Sequence, residues 1–269
     1  MRSISSLLVT FVVILILSSC RALTSSQGND LSNDYVDTTI VLLNVDTLNK
    51  AEVADVINFL SDKDVQLIAL NLNFKEDDKG DSVLISQIKA TRSKIVASCD
   101  LELNEGGNNP YYESLEFGPA ALYKDKQDRV TSFSFLYQAK DGTWVESFYL
   151  KILKYTRPDL YNKCHADSDV YKINFLGNRN SFPNVYHSEL DYTVDSFWRG
   201  KIVLLGHLGT GEATMSLVKP LTNDDVDAFF TPTLRGNVPE GKPNMYGVVI
   251  TANIISGLMM QQKSKRYRR

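Results

Sequence analysis

An α/β fold, with one domain built on a mostly parallel or mixed central sheet flanked by helices, is predicted by three observations. Short apolar runs alternate with amphipathic segments of helical spacing in the first part of the chain. A later apolar run, Ile202-Val203-Leu204-Leu205, is closed by Gly206 and is short enough for a strand buried on both faces. The last apolar stretch, Val248 to Met260, places Val249, Ala252, Ile255 and Met259 at the spacing of a helix.

Taken in order, Ile40-Val41-Leu42-Leu43-Asn44-Val45-Asp46 reads as the first strand. Asn49 stands where an N-cap is needed, ahead of a helix in which Val53, Val56, Ile57 and Leu60 share a face. Gln66 to Phe74 is a second strand, and the order strand, helix, strand implies a right-handed parallel crossover. Asp81 caps a second helix with Leu84, Ile85 and Ile88 inward, and Lys94 to Ser98 returns as a third strand. From Leu101 to Lys126 the pattern breaks up, with Gly106-Gly107-Asn108-Asn109-Pro110 marking a loop. Val130 to Gln138 alternates as a half-exposed strand does, Phe133 and Phe135 on one face, Ser132 and Ser134 on the other. Asp141-Gly142 is a tight turn, which joins a hairpin if Thr143 to Glu146 is extended before a helix begins near Ser147. Ile173 to Leu176 and Ile202 to Leu205 complete the sheet, and no internal repeat is evident.

The ends point to the cell envelope. Arg2, an apolar run from Leu7 to Leu17 and then Ser18-Ser19-Cys20 have the shape of a signal sequence. The run is shorter than the ~20 residues of a membrane span, and Leu17-Ser18-Ser19-Cys20 is similar to a bacterial lipobox, which makes Cys20 the lipidation site. An uncut signal anchor is the alternative. Residues 21–37 are rich in Ser, Asn and Asp, the composition of a flexible tether; residues 38–262 form the domain; residues 263–269 are a basic tail. The net charge of −3 argues against nucleic acid as a partner. With Cys20 lipidated, Cys99 and Cys164 remain, and their spacing alone does not decide between a bridge and two thiols.

Candidate chemistry gathers after the Ile202 strand. Gly206-His207-Leu208-Gly209-Thr210-Gly211 follows a strand as phosphate cradles do, but without the spacing of a dinucleotide fingerprint or a Walker loop. A loop at a strand's carboxyl end is nevertheless where open α/β sheets place ligands. Asp46, Gly206, His207, Gly209, Asp227 and Thr231 are therefore the candidate ligand-binding set, with Asn71 and Asn73 near the same edge. His165, His187 and His207 are the only histidines, and none has the close-spaced partners of a metal site, so no metal or cofactor is expected. His207 with Glu212 and Asp227 would make an acid/base group only if two loops meet, and no nucleophile elbow accompanies them. Pro232 holds Thr231 extended. Asn253, polar inside an apolar helix, is expected to tie that helix to the Asp227–Pro232 loop by hydrogen bonds.

These residues resemble, in order, a known family. Phe197 to Gly206, which contains Gly200-Lys201, is similar to "F-x-G-K-I-V-L-V-G"; Asp227 to Pro232 to "D-x-F-x-T-P"; Met245 to Ile254 to "M-P-G-V-x-x-H-A-N". Tyr171 to Gly177 and Ser181-Phe182-Pro183 are similar to "I-N-Y-x-G" and "F-P-x-x-S", and Ile40 to Asp46 to "I-V-L-V-D-I-D". A weaker likeness joins Asp128 to Thr131 and Trp144 to Tyr155 to the family's third strand and the helix after it. The family is the CHASE domain of the second type, an extracytoplasmic sensory domain usually attached to cyclases or kinases, and the likeness covers most of the chain from about Thr38. Arg129, Tyr246 and Thr251 depart from the pattern, so no ligand chemistry is carried over.

The resemblance implies a non-catalytic, membrane-tethered extracytoplasmic domain that binds a small molecule or an envelope protein for a membrane signalling protein. The family is normally followed by transmembrane helices and an output module, and no span is expected after Met260. Two other classes stay open. One is a small envelope enzyme using His207 and nearby carboxylates, which needs a cleft joining His207 to Asp227; the other is a structural envelope lipoprotein, which needs an exposed apolar patch.

Overall fold

In the computed structural model, which describes residues 36–45, 48–72, 81–99, 115–209, 228–229, 231–232 and 245–266, the run Ile40–Asn44 forms β1 and is buried throughout. Asn49 caps α1 (Lys50–Ser61): its side chain accepts from the Glu52 amide, and the Glu52 carboxylate accepts from the Asn49 amide. There follow β2 (Leu67–Leu70), α2 (Asp81–Ala90), β3 (Ile95–Cys99) and β4 (Glu116–Pro119). Shorter pieces come next: β5 (Leu122–Lys124), β6 (Val130–Ser134), β7 (Leu136–Gln138) and β8 (Trp144–Glu146). Helices α3 (Phe148–Thr156) and α4 (Pro158–Cys164) lead to β9 (Val170–Lys172) and β10 (Asn184–Tyr186). A single turn, α5 (Asp195–Trp198), precedes β11 (Ile202–Gly206), and the described residues close with β12 (Ala228–Phe229), β13 (Met245–Tyr246) and α6 (Gly247–Arg266).

Six of these strands form one sheet in the order β10-β1-β11-β2-β3-β4, and every pair is parallel. Leu43, Leu70 and Leu205 face α1, α2 and Trp198 on one side, while Ile40, Leu67 and Leu204 face α3 and α6 on the other. Strands covered on both faces lose any polar alternation, which is why β1, β2 and β11 are continuous apolar runs. Trp198 is fully buried and its indole N–H donates to Thr193 Oγ1 at 2.8 Å.

The edge beyond β3 differs from the sequence reading. β4 and β5 lie in the stretch that carries no clear pattern, and β4 extends the parallel sheet against β3. Val130 to Gln138 is two strands, not one. β6 pairs antiparallel with β5 and β9 in a separate three-stranded sheet, and β7 pairs with β8 in a hairpin. Gly142 closes that hairpin at φ +86°, and Ser147 caps α3 immediately after it, as its position in the sequence suggests. Ser134 does not face solvent: it is buried, with its hydroxyl donating to the Leu136 carbonyl at 2.6 Å. Ile173 to Leu176 is not a strand of the central sheet; the paired residues are Val170–Lys172, and β10 takes the sheet edge. Cys99 and Cys164 are not joined by a disulfide.

The two ends of the sheet are built differently. At the amino end, Gly200 adopts φ +67° to turn into β11, and Lys201 Nζ donates to the Thr38 carbonyl at 2.9 Å. The chain enters there, with Val36 and Asp37 already buried and the Asp37 amide donating to Ser256 Oγ at 2.8 Å. α6 starts at the other end, where Gly206 lies against Val248. The helix therefore runs from the carboxyl edge of the sheet back to the edge at which the chain enters.

Candidate functional site

After β1 the chain crosses to α1 on one face of the sheet, whereas β11 is followed by α6 on the opposite face. Adjacent strands whose connections leave to opposite faces open a crevice between their carboxyl ends, the place where open parallel sheets hold ligands. Asn44, the last residue of β1, bridges this crevice. Its side-chain oxygen accepts from the Leu208 amide at 3.1 Å and its Nδ2 donates to the Gly209 carbonyl at 2.8 Å. The loop after β11 is thus pinned in place by a side chain of the neighbouring strand.

Two glycines of the loop are required sterically. A methyl at Gly206 would stand 2.7 Å from Val248 Cβ, and one at Gly209, which has φ +82°, would overlap the Tyr246 hydroxyl. His207, between them, is half-buried. Tyr246 belongs to β13, which pairs antiparallel with β12 in the register Ala228 to Tyr246 and Phe229 to Met245. Three of the segments that carry the family likeness, around Gly206, Ala228 and Met245, therefore meet at one edge. Thr231 is buried and Pro232 half-buried just beyond β12. On the β2 side, Thr251 Oγ1 of α6 donates to Asn71 Oδ1 at 3.0 Å, so the first turns of the helix are fixed to the same edge.

Of the residues singled out in the sequence, Gly206, His207 and Gly209 share this edge, with Thr231 near it. Asp46, Asp227 and Cys20 lie outside the described residues. Gly200 and Lys201 belong to the opposite end, where their roles are a left-handed turn and a carbonyl contact. Asn253 is fully buried, but its partner is not the Asp227–Pro232 loop. Its oxygen accepts from the Leu176 and Gly177 amides at 2.6 and 2.9 Å, and its Nδ2 donates to the Gly177 and Val249 carbonyls, both at 2.8 Å. Two acceptances and two donations exhaust a side-chain amide, leaving nothing for that loop.

Sequence reasoning missed Asn44, Tyr246 and the pair Arg179 and Tyr186. A lone Asn ending an apolar strand is a signal for the first, since a polar residue at a buried strand end needs a partner. Arg179 Nη1 donates to the Leu208 carbonyl at 2.6 Å, reaching the loop from a turn 29 residues earlier that nothing in the local sequence connects to it. His165 stacks on Tyr161 at 5.7 Å on α4, and no group of three or more His, Cys, Asp or Glu able to hold a metal occurs among the described residues. No helix among the described residues is long and apolar enough to cross a membrane.

A second polar cluster lies away from this edge. Tyr155 and Lys154 of α3 donate to the Glu116 carboxylate of β4, Lys151 Nζ lies 3.4 Å from Glu146, and the Tyr161 hydroxyl donates to Glu146 at 2.7 Å. Burial pushes the Glu116 carboxyl up, but hydrogen bonds from Tyr155 and Lys154 and the charges of Lys154 and Lys151 outweigh it and leave it below the usual carboxylate range. Hydrogen bonding to Glu116 correspondingly raises Lys154. These groups bind β4, α3 and α4 together and carry no reactive geometry.

The family model of the CHASE2 domain aligns with residues 33–268. No curated protein and no solved structure matches the chain.

Proposed function

The chain belongs to the CHASE2 domain family, an extracytoplasmic sensory family of signalling proteins, and from that premise we propose that it is a membrane-tethered, non-catalytic receptor domain. It takes a small molecule or an envelope protein at the carboxyl edge between β1 and β11. The apolar run ending at Cys20 supports anchoring through an N-terminal lipid in a bacterial envelope, and the acidic balance disfavours nucleic acid.

One observation carries this reading: α6 joins the candidate site to the end of the domain where the chain enters. It begins against Gly206, is tied to Asn71 by Thr251, and holds Asp37 through Ser256. Every residue from Val248 to Gly257 is buried, so the helix is packed all round. Close-packed elements shift between discrete arrangements rather than bending smoothly, and a ligand moves such an equilibrium by its difference in affinity for the two. A ligand that draws the Gly206–Gly209 loop toward β1 acts directly on the start of α6.

The test is a thermal-shift screen of the purified full chain against small molecules of the envelope, followed by recovery of each hit. The reading expects a compound that raises the melting temperature and is recovered unchanged. Its conversion to product, abolished by His207→Ala, would replace the receptor with an enzyme.

A further inference from the structure

Resting on the carboxyl-edge reading, we propose that the crevice takes an oxyanion, the carboxylate or phosphate group of a small molecule, between Arg179 and Tyr186. Tyr186 ends β10 directly beside Asn44 of β1. Its hydroxyl is buried and has no hydrogen-bond partner among the described residues. A buried hydroxyl without an acceptor costs on the order of 1–3 kcal/mol, and such groups in native proteins are rare enough to need a reason.

Arg179 supplies the matching charge. Its guanidinium lies 6.0 Å above the Tyr186 ring, and one N–H reaches the Leu208 carbonyl. That leaves most of its five donors, and it forms no ion pair with a described residue. Arg129 and Arg157 instead hold Asp125 and Asp159 at 2.7 and 2.8 Å. A half-buried guanidinium with no ion pair among the described residues, lying over the ring of a phenol whose hydroxyl is buried without an acceptor, at a sheet's carboxyl edge, is complementary to a planar or tetrahedral oxyanion. The guanidinium binds it in fork geometry and the phenol donates to it. Because Arg179 holds the Leu208 carbonyl and Asn44 the Leu208 amide, an anion at Arg179 bears on the loop that meets α6.

The experiment measures melting temperature and calorimetric binding of the purified full chain with phosphate, with succinate, and with chloride at matched ionic strength. The variants are Tyr186→Phe and Arg179→Gln. The proposal expects phosphate or succinate, and not chloride, to bind, the responding salt telling which oxyanion is meant. Tyr186→Phe should weaken that binding about tenfold, in keeping with one lost hydrogen bond to a charged group, while melting without ligand at or above the wild-type temperature. Arg179→Gln should abolish it. A lower melting point for ligand-free Tyr186→Phe, binding indifferent to both variants, or no binding of either salt would overturn the proposal. A neutral compound that stabilises the wild type and Arg179→Gln equally would overturn it and leave the receptor reading standing; turnover of a bound compound would remove the receptor reading itself.

Discussion

Asn253 and Gly177 are joined by reciprocal hydrogen bonds: the side-chain oxygen accepts from the Gly177 amide at 2.9 Å and the side-chain Nδ2 donates to the Gly177 carbonyl at 2.8 Å. An amide in the middle of α6 thus pairs with a peptide unit as a neighbouring strand would. It also takes the Leu176 amide, so 176–177 is satisfied without entering a sheet.

Removing that amide should be costly. Asn253→Ala leaves the Leu176 amide and both polar groups of Gly177 unpaired, each worth about 1–3 kcal/mol where buried, so a loss of more than about 3 kcal/mol is expected. Urea unfolding checks it through the midpoint. Asn253→Asp keeps one oxygen on the Leu176 and Gly177 amides but places the other against the Gly177 and Val249 carbonyls; complete burial together with those carbonyls favours the protonated form over the two amides' pull and raises its folded pKa above the ordinary ~3.9. Its contribution is then fully present below about pH 4 and lost as pH rises through the raised value, so this variant should melt higher at pH 4 than at pH 7 relative to wild type.

Two glycine substitutions should separate overlap from backbone strain. A methyl at Gly118 would lie 2.5 Å from the Phe148 nitrogen, 2.6 Å from the Ser147 carbonyl carbon and 2.8 Å from the Glu146 oxygen, all main chain. Gly118→Ala must push the end of β8 away from β4, and about 1–3 kcal/mol of destabilisation is expected, with reduced yield of folded protein. A methyl at Gly200 meets nothing, so Gly200→Ala should cost only the left-handed backbone, about 1–2 kcal/mol.

Glu116 should give the domain an acid-sensitive component. Its carboxyl is held below the usual range, so its stabilisation is present above the ordinary Glu value of about 4.3 and is lost as pH falls through the lower folded-state value. Wild type should out-melt Glu116→Gln at pH 7, and the gap should close on acidification. Since the Glu116 and Lys154 side chains are 35% and 38% exposed, high salt should narrow the gap as well.

The lipoprotein expectation has its own check, independent of the fold. Metabolic labelling with a palmitate analogue should tag the wild-type chain and not Cys20→Ser. Equal labelling of both would remove lipidation at Cys20 and favour an uncut signal anchor.

What the sequence disclosed followed from burial. β1, β2 and β11 are covered on both faces, and their unbroken apolar runs cannot be mistaken for exposed strands. Glu116-Phe117-Gly118-Pro119 and Asn184-Val185-Tyr186 are edge strands, short and half-exposed, with a Gly and a Pro in one, so neither carries that signature. Ile173 to Leu176 misled because Ile173 and Phe175 are buried while Asn174 is exposed, the alternation of a strand, in a segment whose last amide is claimed by Asn253. At the site, the glycines after β11 were legible because a strand followed by a Gly loop is a local pattern. Arg179 and Tyr246 were not, since each meets that loop from a distant part of the chain, and Asn44 at the end of an apolar run signals that it needs a partner without showing which.

In the proposed receptor, occupancy of the carboxyl edge is transmitted along α6 to the end where the chain enters. Hydrogen–deuterium exchange of the full chain, with and without a compound found by thermal shift, measures this directly. Altered exchange is expected at Gly206–Gly209, along Gly247–Gly257, and at Asp37, whose amide is bonded to Ser256. Altered exchange at the loop alone, with α6 and Asp37 unchanged at saturating compound, would contradict it.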